Sequence, residues 1–177
     1  IFTNLHLFFE NGKYGVASQG SPISRWNRST QSIEGEHMIG KTIDQICVGE
    51  SAQFSKTITD VDIVLFAGIT GDLNPAHINE RYAEGTFFKG RIAHGILLAG
   101  FISSVMGMQL PGPGAVYIRQ ELNFLLPARI GDTVTAHVEV SEIDAEKNRV
   151  KLKTVCMNQD GKLILDGQAL VSPPKAK

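Results

Sequence analysis

The stretch Asp72-Leu73-Asn74-Pro75-Ala76-His77 places a carboxylate and an imidazole five residues apart. On an unbroken helix that spacing puts them on different faces. The Asn-Pro step changes this, because Pro75 cannot continue a helix and pushes Asn74 toward extended geometry. The turn can then fold both side chains into one pocket. A carboxylate beside an imidazole is an acid–base pair, in which one group takes a proton from water while the other gives one. Plainer uses stay open at this point: Asp72 as an Asx-turn residue and His77 as a loop histidine.

A second group is Arg91-Ile92-Ala93-His94-Gly95, directly ahead of a long apolar stretch. A helix start carries unpaired backbone N–H groups and a partial positive charge. Gly95 admits a ligand close to the backbone. Such a site suits a carbonyl oxygen whose negative charge grows during reaction. The alternative is a tight loop-to-helix junction with His94 as a capping or packing residue. Taken together, the two groups suit proton chemistry beside a carbonyl.

The elements that must position these residues read as follows. Gln53–Ile58 alternates as a strand. Thr59 opens a helix with early acids, ending near Thr70-Gly71, and Val61, Val64, Leu65 and Ala67-Gly68 form its expected apolar side. Asp72–His77 is a turn, with a short helical turn near Glu80–Ala83 and an irregular loop over Phe87–Ala93. From His94 to about Gln109 the chain reads as a helix apolar on most sides, hence buried within the domain. Leu110-Pro111-Gly112-Pro113-Gly114 stops it. Four strands follow, over 115–126, 133–143, 149–157 and 163–171, expected as a meander, with Asn158-Gln159-Asp160-Gly161 as a hairpin turn. Helices and strands are segregated, so the fold class is α+β with an antiparallel sheet, and the sheet is expected to wrap the long helix.

Composition removes several function classes. The 177 residues carry 17 Lys+Arg against 18 Asp+Glu, a net charge of −1, so no basic excess points to nucleic acid or to an anionic membrane surface. No apolar run reaches the ~20 residues of a membrane span. Cys47 and Cys156 are too far apart for a CxxC pair, which speaks against a disulfide scaffold or zinc ribbon and fits a reducing compartment, expected to be the cytoplasm. The histidines lack HExxH-type spacing, so no metal is expected.

Residues 1–37 differ from the rest. They are rich in Ser, Asn and Gly, show no sustained period, and hold the only tryptophan, Trp26. The His37-Met38 pair is one that cloning junctions leave. The expectation is that 1–37 is a non-native leader or an unpatterned extension, and that 38–177 is the domain proper.

Phe54–Pro173 resembles the MaoC-like dehydratases, specifically the (R)-specific enoyl-CoA hydratases with a hot-dog fold. The matching pieces are Asp72–His77, Arg91–Ala99, Leu110–Gly114, Leu122-Asn123-Phe124-Leu125-Leu126-Pro127 and Gly131-Asp132, in the family's order. The resemblance implies reversible syn hydration of a trans-2-enoyl-CoA to an (R)-3-hydroxyacyl-CoA. It puts the catalytic pair on Asp72 and His77 and the thioester-oxygen donor on the N–H of Gly95. Asn74, which would also hold the catalytic turn, His94 and Ser103 would bind substrate. It implies no cofactor beyond the CoA of the substrate, and a homodimer or higher oligomer. Arg119, Arg129 and Lys89 are basic residues that either meet CoA phosphates or stay solvated. The competing expectations are a hot-dog acyl-CoA thioesterase, recognised by thiol release, and a non-catalytic acyl-CoA-binding module, which has no need for both Asp72 and His77.

Overall fold

The structure, a computed structural model, describes residues 6–10, 13–17 and 39–175. The chain divides into two compact units, Ile1–Glu36 and His37–Lys177. In the first, strands β1 (His6–Glu10) and β2 (Lys13–Ala17) pair antiparallel, with Leu7 opposite Val16 and Phe9 opposite Tyr14. Residues 1–37, expected as a leader or unpatterned extension, thus include a paired stretch of strand. Trp26 and the His37-Met38 junction lie outside the described residues.

In the second unit, strand β3 (Ser51–Thr57) leads to helix α1 (Asp60–Thr70), the short helices α2 (Pro75–Ile78) and α3 (Glu80–Glu84), and the long helix α4 (Gly95–Met108). Strands β4 (Val116–Phe124), β5 (Thr133–Asp144), β6 (Arg149–Met157) and β7 (Leu163–Ser172) follow. The start of α1 is a reciprocal cap: the Thr59 hydroxyl accepts from Asp62 N–H, and the Asp62 carboxylate accepts from Thr59 N–H at 2.8 Å. Lys56 pairs with the same carboxylate at 2.9 Å. Gly71 closes the helix in the left-handed region, at φ 76°, where a Cβ is disfavoured.

Burial pushes the Asp62 carboxyl upward, but the bonds from Thr59 and Lys56 outweigh it and hold the group below its ordinary range. A carboxyl lowered by folding adds stability above the unfolded value, near ~3.9, and loses it as pH falls through the folded value. Asp62→Asn is therefore expected to cost ~1 kcal/mol at pH 7. Urea melts across pH 7 to pH 3 check this: the gap between wild type and variant should close at the acid end.

The five strands of this unit form one antiparallel sheet in the order β3-β5-β6-β7-β4. This corrects the expected four-strand meander. Only β5-β6-β7 is sequential; β4 crosses to the far side of β7, with Leu122 opposite Gly167, while β5 joins β3, with Phe54 opposite Ala136. Period-2 patterning tells which residues point inward but not which strand lies next to which.

Helix α4 packs its Leu98, Phe101, Ile102, Val105 and Met106 into a core with Val134, Val138, Leu152, Ile164 and Val171 of the sheet. Each such side chain contributes roughly 1.5–3 kcal/mol on burial. That outweighs the ~1 kcal/mol that each of Gly100 and Gly107 costs a helix interior, so tertiary packing holds α4 helical. The result is the α+β sheet-on-helix arrangement expected of a hot-dog fold. Two burial expectations are corrected. In α1, Ile63 and Ala67 face the core while Val61, Val64 and Leu65 are more than half exposed. In α4, the side away from the sheet, with Ile96, Gly100, Ser103 and Gly107, is open. Among the described residues no helix is long and apolar enough to cross a membrane.

Candidate active site

The site is built on a turn where α1 ends. Asp72 follows Gly71, and its Oδ1 accepts from Asn74 N–H at 3.2 Å. Pro75 holds Asn74 extended (φ −52°, ψ 125°) and takes the first position of α2, where a missing N–H costs nothing. The Asn74 side chain caps that helix, accepting from Ala76 N–H at 3.1 Å. The turn expected over Asp72–His77 is thus half turn and half one-turn helix, and Asn74 serves as its brace.

His77 is fixed twice. Its Nδ1 lies 2.9 Å from the carbonyl oxygen of Ile92. A carbonyl only accepts, so Nδ1 carries the hydrogen and Nε2 keeps its lone pair. Its own carbonyl accepts from Arg91 Nε at 2.6 Å, and Arg91 Nη2 reaches Asp60 Oδ1, also at 2.6 Å. Arg91 thereby ties the Asp72–His77 turn to the first turn of α1. The sequence reading placed Arg91 in a motif without giving it this task; its position three residues ahead of the histidine at a helix start was the available signal.

His94 is buried, with 2% of its surface exposed. Its Nε2 lies 3.0 Å from the backbone carbonyl of Asp72 and 4.0 Å from Asp72 Oδ2. Its ring stacks on that of His77, with centroids 3.9 Å apart and planes 30° apart, and meets Phe66 on α1 at 4.9 Å. Gly95 then begins α4, and its N–H is one of the four that a helix leaves without an internal acceptor.

A cavity of about 440 Å³ opens beside His77 and the start of α4. His77 and Gly95 lie in its lining, and Phe87, Phe88, Ile96, Phe124 and Leu125 are among its apolar walls. A Cβ on Gly95 would stand 2.7 Å from the Phe124 ring, so only glycine leaves the ring and helix start this close. Arg129, a candidate phosphate contact, instead donates from Nη2 to the carbonyl of Phe88 and supports the wall loop. Arg119 faces Glu121 at 3.6 Å on the exposed edge strand. Asn74, His94 and Ser103, expected to bind substrate, do not line this cavity, and neither does Asp72. His94 is beneath it, and Ser103 is on the open side of α4. The walls Phe87 and Phe88 were missed; an aromatic pair in a loop bracketed by Gly85 and Gly90 was their only trace.

An apolar cleft lined by the His77 imidazole and the Gly95 helix start, with an Asp72 carboxylate oxygen within 4.8 Å of a His77 ring nitrogen, suits a flexible acyl group whose carbonyl must be polarised. A groove of about 460 Å³ on the outer face of the sheet is lined by polar and charged residues such as Asn123, Gln168, Lys151 and Glu142, the last two pairing at 3.1 Å.

A profile of the MaoC like domain matches residues 45–161. An (R)-specific enoyl-CoA hydratase of Rhodospirillum rubrum is 50% identical over 142 residues, covering 80% of this chain and 98% of that protein. A 3-hydroxybutyryl-CoA dehydratase of Methylorubrum extorquens is 52% identical over 128 residues, covering 72% and 81%. Among solved structures, an R-hydratase from Pseudomonas aeruginosa superposes with a TM-score of 0.74 at 39% identity, covering 77% of this chain and 88% of that one.

Proposed function

As a member of the MaoC-like family, to which it belongs, this chain is a hydro-lyase of the enoyl-CoA hydratase type, and we propose that it adds water reversibly, from one face, to a trans-2-enoyl-CoA to give the (R)-3-hydroxyacyl-CoA. The observation that carries this reading is the His77 ring, bonded through Nδ1 to Ile92 and lining the same cavity as Gly95. Water sits between Asp72 and His77 Nε2. Its oxygen bonds to C3 as a proton leaves it for Asp72. The π electrons of C2=C3 move onto the thioester oxygen, which the Gly95 N–H and the α4 dipole stabilise. They return to form the C2–H bond, with a proton supplied from the same side through the Asp72–His77 pair. One water is added and no oxidation state changes, so the reaction calls for no redox cofactor.

The reaction also runs without a metal. One ligand atom each of Asp72, His77 and His94 lies within 4.8 Å of the others, but in this reading the Asp72–His77 pair moves the protons and the Gly95 N–H polarises the carbonyl, so no step is assigned to a metal. Dialysis against EDTA should leave turnover unchanged; loss restored by Zn²⁺ would overturn this part of the reading.

The partner in this reading is a second copy of the catalytic domain, residues 38–177. The open side of α4 and the edge strand β4, with exposed Val116, Tyr117 and Ile118, present an unpaired edge and apolar surface that a copy can cover. Light scattering should return twice the chain mass or a higher multiple. The free thiols Cys47 and Cys156 support a reducing compartment, the cytoplasm.

The deciding experiment mixes purified protein with crotonyl-CoA and follows loss of the conjugated enoyl-thioester absorbance beside a free-thiol assay. Loss without thiol release, with (R)-3-hydroxybutyryl-CoA as product, supports the reading. Thiol release makes the protein a thioesterase.

A further inference from the structure

His94 is the one buried side chain among the described residues with a polar atom, Nδ1, that has no hydrogen-bond partner. Leaving such an atom unpaired is unfavourable, so the ring's other contacts must account for its presence. Its Nε2 faces a carbonyl, so Nε2 carries the hydrogen and Nδ1 the unpartnered lone pair. A phenyl ring would fill the same space against Phe66 and His77 without any orphaned nitrogen. What it would lack is the bond to Asp72.

That bond joins parts of the site that are otherwise far apart in the chain. Asp72 lies 22 residues before His94. His77 lies on the face of the His94 ring. Gly95 is the next residue, so the peptide bearing its N–H is attached to the backbone from which the ring projects. We infer that His94 is a positioning residue for the proposed hydration: its Nε2–H bond to the Asp72 carbonyl sets the acid–base turn at a fixed distance from the Gly95 N–H. The inference rests on the functional reading above only for its kinetic consequence. The anchoring itself is a property of the folded chain. Water attack at C3 and polarisation of the carbonyl must occur on one substrate at once, and a misplacement of about 1 Å costs on the order of 10²-fold in rate.

Three variants separate the donor from the packing. Gln carries an N–H₂ at about the reach of histidine Nε2; Asn carries one near the reach of Nδ1; Phe keeps the ring and has no donor. With crotonyl-CoA, His94→Phe should lower kcat by roughly 30- to 100-fold with KM within about threefold. His94→Gln should recover at least about fivefold over Phe, and His94→Asn should not. Hydrogen exchange of the 72–79 segment, read without substrate, should quicken about tenfold in Phe and Asn and return toward wild type in Gln.

A packing role predicts the opposite ranking, with Phe at or above Gln in kcat, and that ranking overturns the inference. So does a rise in KM at constant kcat, which would make His94 a substrate contact. Unchanged exchange over 72–79 in Phe overturns it as well. If Phe fails to fold, the Gln-over-Asn order in both readouts decides. Should the wild type turn over no enoyl thioester while the exchange ranking holds, the functional reading fails and the anchoring stands.

Discussion

Asp72→Asn and His77→Gln are each expected to lower kcat for crotonyl-CoA hydration by 10²-fold or more, with unchanged far-UV circular dichroism. Asp72→Asn leaves an amide that accepts poorly and cannot take the proton of the attacking water. The Asx-turn bond to Asn74 N–H survives through the amide oxygen, so the turn keeps its shape. Asp72 is about half exposed, and little folding energy rides on its charge. His77→Gln loses the basic Nε2 lone pair and, because its amide matches the reach of Nε2, also gives up the bond from Nδ1 to the Ile92 carbonyl. Because the two groups act on one water, the double variant should be little worse than the slower single one. Near-normal turnover of either single variant sinks the assigned chemistry.

Gly95→Pro is expected to be the second most damaging change, and its proper reference is Gly95→Ala. Both add a Cβ that meets the Phe124 ring at 2.7 Å. The ring is half exposed and can swing aside, so both variants should fold. Pro fits the first position of a helix, and His94, at φ −61° and ψ 128°, already has the extended geometry that a following proline demands. The difference between the two variants is then mainly the N–H. A single oxyanion donor is worth about 3–4 kcal/mol in the transition state, so kcat of Gly95→Pro should lie 10²–10³-fold below that of Gly95→Ala. Equal rates in the two variants would remove the Gly95 N–H from the mechanism. Adding Phe124→Leu to Gly95→Ala should restore part of its loss by relieving the contact, which steady-state kinetics on the pair would show.

Much of the candidate site was legible because it is local. Asn-Pro between Asp72 and His77 forces a change of direction, Gly71 ends α1, and Gly95 begins α4; each follows from backbone sterics and capping within a few residues. The adjacent roles were not legible. Arg91 acts on a carbonyl 14 residues away and His94 on one 22 residues away, and spacing alone does not tell a backbone anchor from a substrate contact. The expectation of a substrate-facing His94 came from the family resemblance, yet Gly95 lines the cavity while the buried imidazole of His94 does not.

The sequence by itself determined helices α1 and α4, strands β3 to β7, the α+β class, the family and the two local groups proposed to carry the chemistry, because capping, proline, glycine and alternation act over a handful of residues. Only the tertiary structure decided that β4 lies beside β7, that Ile63 and Ala67 rather than Val61 and Val64 face the core, and that one side of α4 stays open. It also decided that a buried imidazole ties the acid–base turn to the helix start. Each of these depends on which distant surfaces come together, and that is set by the packing of the whole sheet around α4 rather than by any short run of residues.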